Sequence, residues 1–395
     1  NVTGSMFVGG FVGYIGSNTN MDVTISNSTN NGNVTGSMFV GGFVGYIGSN
    51  PNMNVTISNS TNNGNVTGSD TNVGGFFGCI RSNTNMDVTI SNSTNNGNVT
   101  GSDSNDGGFV GFIASNTNMN VTISNSTNNG NVTGSGFNVG GFVGNIDSNI
   151  NMNVTVSNST NNGNVTGSNS NVGGFVGYIY KNTMTMTISN STNNGTVAGS
   201  REYVGGFVGC IRSLKTNSIS LFITSSANKG NVSAKNGMAC GVFCVDSYSN
   251  YNVKSVLTNS INKGSVDAGT NAYGIANIIT KARNVVSMGE VTGSSGSFTF
   301  WESSTDVGLF FGLKSKCKNC TTNATLFEHN TNTGFYEVVG SGEHVHELLN
   351  AEVEKQNYGM FWTKELDLEE SLVEPSPSPS PLSSSLPSPS PSLLS

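Results

Sequence analysis

The stretch Asn1–Gly32 reads NVTGSMFVGGFVGYIGSNTNMDVTISNSTNNG, and Asn33 begins the same text again. Further copies open at Asn65, Asn98, Asn131, Asn164 and Thr196, looser ones at Asn231 and Ser265, and a degenerate one near Val291. The spacing is 32 to 35 residues up to Ser265, and the first copies are nearly identical. A fixed period of that size marks a solenoid, a propeller or an array. Helix-forming residues are scarce before residue 325, whereas Val, Ile, Phe and Thr alternate with small polar residues. In MDVTIS, Met21, Val23 and Ile25 fall on one face, and Asp22, Thr24 and Ser26 on the other. In GGFVGYI, Phe11, Gly13 and Ile15 share a face, and Val2 opens a third short strand. Turn residues separate the three: Gly4-Ser5, Gly16-Ser17-Asn18 and Asn30-Asn31-Gly32. A WD-type propeller blade needs about 40–45 residues and four strands. The period therefore predicts an all-β β-solenoid (parallel β-helix), with about 32–33 residues and three short strands per coil.

One coil cannot bury its own apolar face. Stacking predicts a column of Phe11, Phe43, Phe76, Phe109, Phe142, Phe175 and Phe207, beside a column headed by Ile15 and Ile47. Parallel strands about 4.8 Å apart supply the backbone hydrogen bonds, and the Asn-rich corners suit side-chain ladders. The solenoid is expected over residues 1–325. The chain opens on Asn, in register with the later copies, which points to a fragment of a longer protein.

Composition narrows the function classes. Only 10% of the 395 residues are charged, and the net charge is −7. That argues against a highly charged disordered chain and against a nucleic-acid partner, since no basic stripe appears. No apolar run reaches the roughly 18 residues of a membrane span, and Gly does not recur every third residue as in collagen. After residue 325 the composition changes: Glu328–Glu374 holds eleven acidic residues against two lysines. Within it, Glu343–Gln356 has helix composition, with Val345, Leu348, Leu349 and Val353 at helical spacing. Residues 326–374 are therefore expected to form an acidic α+β cap over the open end of the stack. Residues 375–395 hold seven of the eight prolines and read as a disordered Pro/Ser-rich stalk.

Val8-Gly9-Gly10-Phe11-Val12-Gly13 and Gly32-Asn33-Val34-Thr35-Gly36 resemble the GLUG repeat of bacterial adhesins and surface proteases. The likeness covers about residues 1–315. Asn27-Ser28 departs from the family's usual Asn-x-Tyr. Tyr358–Leu368, ahead of the Ser/Pro tail, resembles variable surface-antigen-like proteins of trichomonad protists. These resemblances imply a scaffold repeat and a parasite surface antigen.

Candidate sites follow from residue types. Asn-Ser-Thr sequons at Asn27, Asn59, Asn92, Asn125, Asn158 and Asn190 are glycosylation candidates. Asn-Val-Thr sequons recur at Asn1, Asn33, Asn54, Asn65, Asn98, Asn120, Asn131, Asn153 and Asn164. All of them also read as turn and strand chemistry, and a spacing of about 4.8 Å leaves no room for a glycan on every coil. The position after the third Gly runs Tyr14, Tyr46, Cys79, Phe112, Asn145, Tyr178, Cys210, and the outward position two residues on runs Gly16, Gly48, Arg81, Ala114, Asp147, Tyr180, Arg212. Among these, Tyr14, Tyr46, Phe112, Tyr178 and Tyr180 are the expected binding surface; the competing reading is that neighbouring loops cover them. The Thr24 column invites an ice-binding reading, against plain polar strand residues. Of the cysteines, Cys210 and Cys244 sit on neighbouring coils and are close enough to bridge, Cys240 and Cys244 form a CxxxC, and Cys317-Lys-Asn-Cys320 lacks the second pair a zinc site needs. His329, His344 and His346 read as solvated. No catalytic, cofactor or metal site is expected, since carboxylates are sparse and no nucleophile motif appears.

The expectation is a non-enzymatic, cell-surface or secreted repeat protein for adhesion or antigen display. Its partner is expected to be a host-cell or extracellular glycan or protein. The alternatives are an extracellular carbohydrate-active or carbohydrate-binding β-helix protein, and a structural or ice-binding solenoid.

Overall fold

The computed structural model describes residues 1–312, apart from 18–19, 50–51, 83–84, 116–117, 149–150, 170, 182, 215–217, 247–252 and 308–309. Within them each copy of the repeat forms one coil of a parallel β-solenoid, and every element is a strand. The second coil shows the pattern: Val34–Gly36, Met38–Gly41, Val44–Ser49, Met53–Ser58 and Thr61–Asn62. The three expected strands are present. A corner at Gly42-Phe43 separates Met38–Gly41 from the second of them, and a two-residue Thr-Asn bridge follows the third. The Val-Thr-Gly strands stack as one parallel sheet of ten, and the remaining strands join a second sheet. Pairing is between equivalent residues: Val34↔Val66, Met53↔Met86 and Ile47↔Ile80 lie side by side.

This register makes each core position a column. Phe43, Phe76, Phe109, Phe142 and Phe175 stack ring on ring with centroids 4.6–4.8 Å apart. They are fully buried with the Ile47 and Met53 columns. Phe11 joins the stack at its end and stays 46% exposed, because no described coil covers it. Simple alternation fails at the corner. Gly41, Gly42, Phe43, Val44 and Gly45 are all buried. The chain folds so tightly there that a Cβ on Gly42 would collide with the Gly75 carbonyl and crowd the Asn62 amide, so only glycine fits.

A second, smaller core holds one valine from each Val-Thr-Gly strand and one from the following strand, for example Val66 with Val73 and Val132 with Val139. In the fourth coil this column carries Asp106 in place of valine, wholly buried.

The corners are held by amides. Asn62 Nδ2 donates to Gly64 O at 2.8 Å and to Asn95 Oδ1 at 2.8 Å. The same pair of bonds recurs through Asn95, Asn128, Asn161, Asn193 and Asn228, all fully buried. A second ladder, Asn63 to Asn31 and onward to Asn194, runs on the exposed side. Between the third predicted strand and the bridge the chain needs a left-handed residue, and Asn27, Asn59, Asn92, Asn125, Asn158 and Asn190 supply it with φ of 48–50°. Asparagine tolerates that conformation because its short side chain bonds locally.

In the last copies the strands run on through their corners. Val253–Asn262 of the eighth copy is continuous past the left-handed Asn259, and Asn271–Ser287 of the ninth is one long strand in a shorter coil. The expected acidic cap, the Glu343–Gln356 helix, the Ser/Pro stalk, Cys317, Cys320, His329, His344 and His346 lie outside the described residues.

Candidate binding face

Most positions of the coil repeat unchanged, so the places where copies differ show where the scaffold is free to vary. Beside the residues after Gly-Ser (Met6, Met38, Asp70-Thr71, Asp103-Ser104, Gly136-Phe137, Arg201-Glu202) and the Gly16 column, two adjacent columns vary. One is the column expected from the sequence, Tyr14 to Cys210. The other starts at Phe7 and runs Phe39, Asn72, Asn105, Asn138, Asn171, Tyr203. The sequence reading missed this second column. Its signal was available: ahead of Val-Gly-Gly (Asp106-Gly-Gly in the fourth copy), the x position changes from Phe to Asn to Tyr. From Phe7 to Asn171 its described members take a left-handed φ of 51–68°.

In the first two coils the columns form one aromatic cluster. Phe7 lies 5.2 Å from Tyr14, 5.2 Å from Tyr46 and 5.3 Å from Phe39, and Phe39 lies 5.1 Å from Tyr46. Tyr14 and Tyr46 stack at 5.5 Å with planes 3° apart. Tyr14 is 55% exposed. Tyr46 is half-buried, and that burial raises its phenol pKa.

From the third coil on, asparagines replace the phenylalanines of the Phe7 column and join side to side. Asn105 Nδ2 donates to Asn72 Oδ1 at 2.7 Å, Asn138 to Asn105 at 2.9 Å, and Asn171 to Asn138 at 2.9 Å. The Tyr14 column then alternates in bulk: Cys79, Phe112, Asn145, Tyr178, Cys210. The expectation of a uniformly outward column is corrected here. Cys79 and Cys210 are 1% and 2% exposed, while Tyr46, Phe112 and Tyr178 are half-buried beside them. Tyr46 and Phe112 flank Cys79, Phe112 and Tyr178 flank Asn145, and Tyr178 flanks Cys210 on one side, with the eighth coil on the other. Asn145 Oδ1 is likewise buried and meets no hydrogen-bond donor among the described residues.

At the sixth to eighth coils the stripe meets an ion pair. Tyr178 and Tyr180 stack at 5.5 Å. Tyr178 hydrogen-bonds Arg212, and Arg212 Nε lies 3.3 Å from Asp246 Oδ2. Desolvation, with Cys210 and other neighbours contributing less, raises the Tyr178 phenol pKa despite the guanidinium.

The cysteines pair differently from the Cys210–Cys244 alternative. The disulfide joins Cys240 to Cys244, with Cα atoms 5.6 Å apart, and Cys79 and Cys210 are free and buried. Cys240 takes the place of Gly205 in the coil before, so two cysteines bond across the corner that glycines make elsewhere. Burial pushes both free thiols up in pKa, which removes the reactive thiolate. Alkylation of the native protein with iodoacetamide is therefore expected to leave Cys79 and Cys210 unmodified. Both should label fully in urea, as read by peptide mass spectrometry. Labelling of either in the native state would show the ring cover to be open.

The glycosylation candidates Asn27, Asn59, Asn92, Asn125, Asn158 and Asn190 are exposed, at the left-handed turn. The serine that follows works inside the fold: Ser60 Oγ donates to Ser58 O at 2.8 Å and accepts the Ser28 N–H at 3.2 Å. In the Asn-Val-Thr family, Asn33 Oδ1 accepts the Asn65 N–H at 2.9 Å, and the bond repeats along the column. Along the third predicted strand, Thr24 is exposed, whereas Thr56, Thr89, Thr122, Thr155 and Thr187 are half-buried. Asp22 and Asp87 are separated by Asn54, which donates to Asp22 at 2.8 Å. A shallow hollow of about 480 Å³ lies on the Val-Thr-Gly sheet where Thr166 gives way to Ala198, Ser233 and Asp267. No cluster of three metal-ligating side chains is found among the described residues.

No family model matches the sequence, and no curated protein matches it. A crystal structure from Bacteroides ovatus, described as a "putative immunoglobulin A1 protease", is similar at a TM-score of 0.31 and 15% identity, covering 73% of this chain and 83% of that one. At that TM-score the likeness carries no argument about function.

Proposed function

We propose that this chain is a non-enzymatic binding protein, displayed on a cell surface or secreted, that presents one variable face on a repeating scaffold for adhesion or antigen display. The observation that carries this reading is a face of varied aromatic, amide and charged side chains on an otherwise repeating scaffold. The Phe, Ile and buried Asn columns repeat through coil after coil, while the Phe7 and Tyr14 columns change between aromatic, amide and thiol side chains and the Gly16 column beside them carries Arg81, Asp147 and Arg212. Stacking leaves these positions free, so their side chains are available to a ligand without cost to the coil. The Cys240–Cys244 disulfide supports an oxidising compartment. Exposed sequon asparagines at the turns support a glycoprotein. The GLUG-like repeat and the trichomonad-like C-terminal stretch point the same way.

The test is accessibility. Antibodies raised to residues 343–374 should stain intact source cells, and brief protease shaving should abolish the stain. Staining only after permeabilisation would overturn the reading and move the search to an intracellular scaffold.

A further inference from the structure

We propose that the aromatic and amide stripe binds a linear, uncharged glycan laid along the solenoid axis. The proposal rests on the display reading above and names its ligand class.

Shape argues first. From Tyr14 to Cys210 the stripe crosses six coil-to-coil steps, about 29 Å at about 4.8 Å per step. Its width is the 5.2 Å between the Phe7 and Tyr14 rings plus about 7 Å along the strand from Tyr14 to the flanking Gly16 position, about 12 Å. The product, about 350 Å², is under half of the roughly 800 Å² each partner contributes to a standard protein interface. A long narrow stripe fits a chain-like ligand. An extended peptide added as a strand is disfavoured, because the Val44–Ser49 strand and its equivalents through the sixth coil are paired on both sides and offer no free edge.

Chemistry argues second. The fourth and sixth coils each project one half-buried ring beside one half-buried amide: Phe112 with Asn105, and Tyr178 with Asn171. The coil between them recedes at Asn138, which is 8% exposed. The ring-and-amide unit thus recurs every second coil, about 9.6 Å apart, close to the length of two linked sugars. Aromatic faces accept the C–H faces of sugar rings. Each ladder amide keeps one N–H and one lone pair beyond its ladder bonds, enough to meet a hydroxyl. The flanking charges are of both signs, Arg81, Asp147 and the Arg212–Asp246 pair, so nothing selects a polyanion. Two weak subsites in a row gain when one chain occupies both.

The experiment measures binding of neutral cello- and chito-oligosaccharides, from the disaccharide upward, to the full chain by calorimetry. Affinity should rise with each added disaccharide. The double variant Phe112→Leu/Tyr178→Leu, which keeps an apolar cover over Cys79 and Cys210, should bind about tenfold or more weakly with an unchanged melting profile. If that variant loses structure, Asn105→Asp/Asn171→Asp provides the same readout without removing a ring. Absence of saturable binding, binding indifferent to both variants, or preference for heparin-like polyanions would each overturn the proposal. Surface staining with no glycan binding would remove the ligand class and leave display intact. Glycan binding without surface staining would do the reverse.

Discussion

Replacing Asp106 with valine is expected to stabilise the solenoid by about 4 kcal/mol at pH 7. Asp106 sits between Val73 and Val139 of the adjoining coils. It is fully buried, and neither carboxylate oxygen has a hydrogen-bond partner among the described residues. Desolvation, with Asp103 adding repulsion, raises its pKa from 3.8 to about 8. The folded protein therefore keeps the proton at neutral pH, while the unfolded chain releases it. Below about pH 4 both states hold the proton, and titration costs nothing. Between about pH 4 and pH 8 only the unfolded state ionises, so stability falls as pH rises, by about 1.4 kcal/mol per unit. Valine abolishes that slope and restores the packing that Val40, Val73, Val139 and Val172 give their own coils. Urea unfolding of both proteins at pH 5 and pH 8 checks this: the advantage of Asp106→Val should widen towards pH 8. An advantage that is equal at the two pH values would mean the carboxylate is not held protonated.

The second large effect is expected at Asn128. Its Nδ2 donates to Gly130 O at 2.9 Å and Asn161 Oδ1 at 2.8 Å, and its Oδ1 accepts from Asn95 Nδ2 at 2.8 Å. Asn128→Ala removes all three bonds in a fully buried site. It strands a donor on Asn95 and an acceptor on Asn161, each worth about 1–3 kcal/mol when left unsatisfied. The expected loss is about 3–5 kcal/mol, since low local dielectric makes half-broken polar networks costly. The neighbouring residue is the control. Asn129 also makes ladder bonds of 2.8 Å to Asn96 and Asn162, but it is exposed, and water replaces those partners. Asn129→Ala should cost about 0.5 kcal/mol or less. Thermal denaturation of the two variants side by side separates burial from hydrogen-bond count. Equal losses would show that the buried ladder contributes no more than the exposed one.

The coil and its inward columns were legible in the sequence, because stacking at one register turns a repeat directly into contacts. Phe43 meets Phe76 because both hold the same place in their copies. The tyrosine column was legible as a position, not as a surface. Reading along the strand places Cys79 outward with Tyr46. Burial is set instead across the strands, where a large ring on one coil covers a small residue on the next. The companion column of Phe7 and Asn72 was hidden for a related reason. Its left-handed backbone interrupts the two-residue alternation from which faces are inferred.

The sequence alone determined a parallel β-solenoid, its period, its Phe and Ile columns and its asparagine corners, since each follows from identity between copies. Only the tertiary structure decided which asparagine ladder is buried, which cysteines bond, that Asp106 has no partner, and that rings on adjoining coils flank the buried thiols. Those depend on distances across the coil and on unlike neighbours in adjoining coils, and a linear repeat carries no record of either.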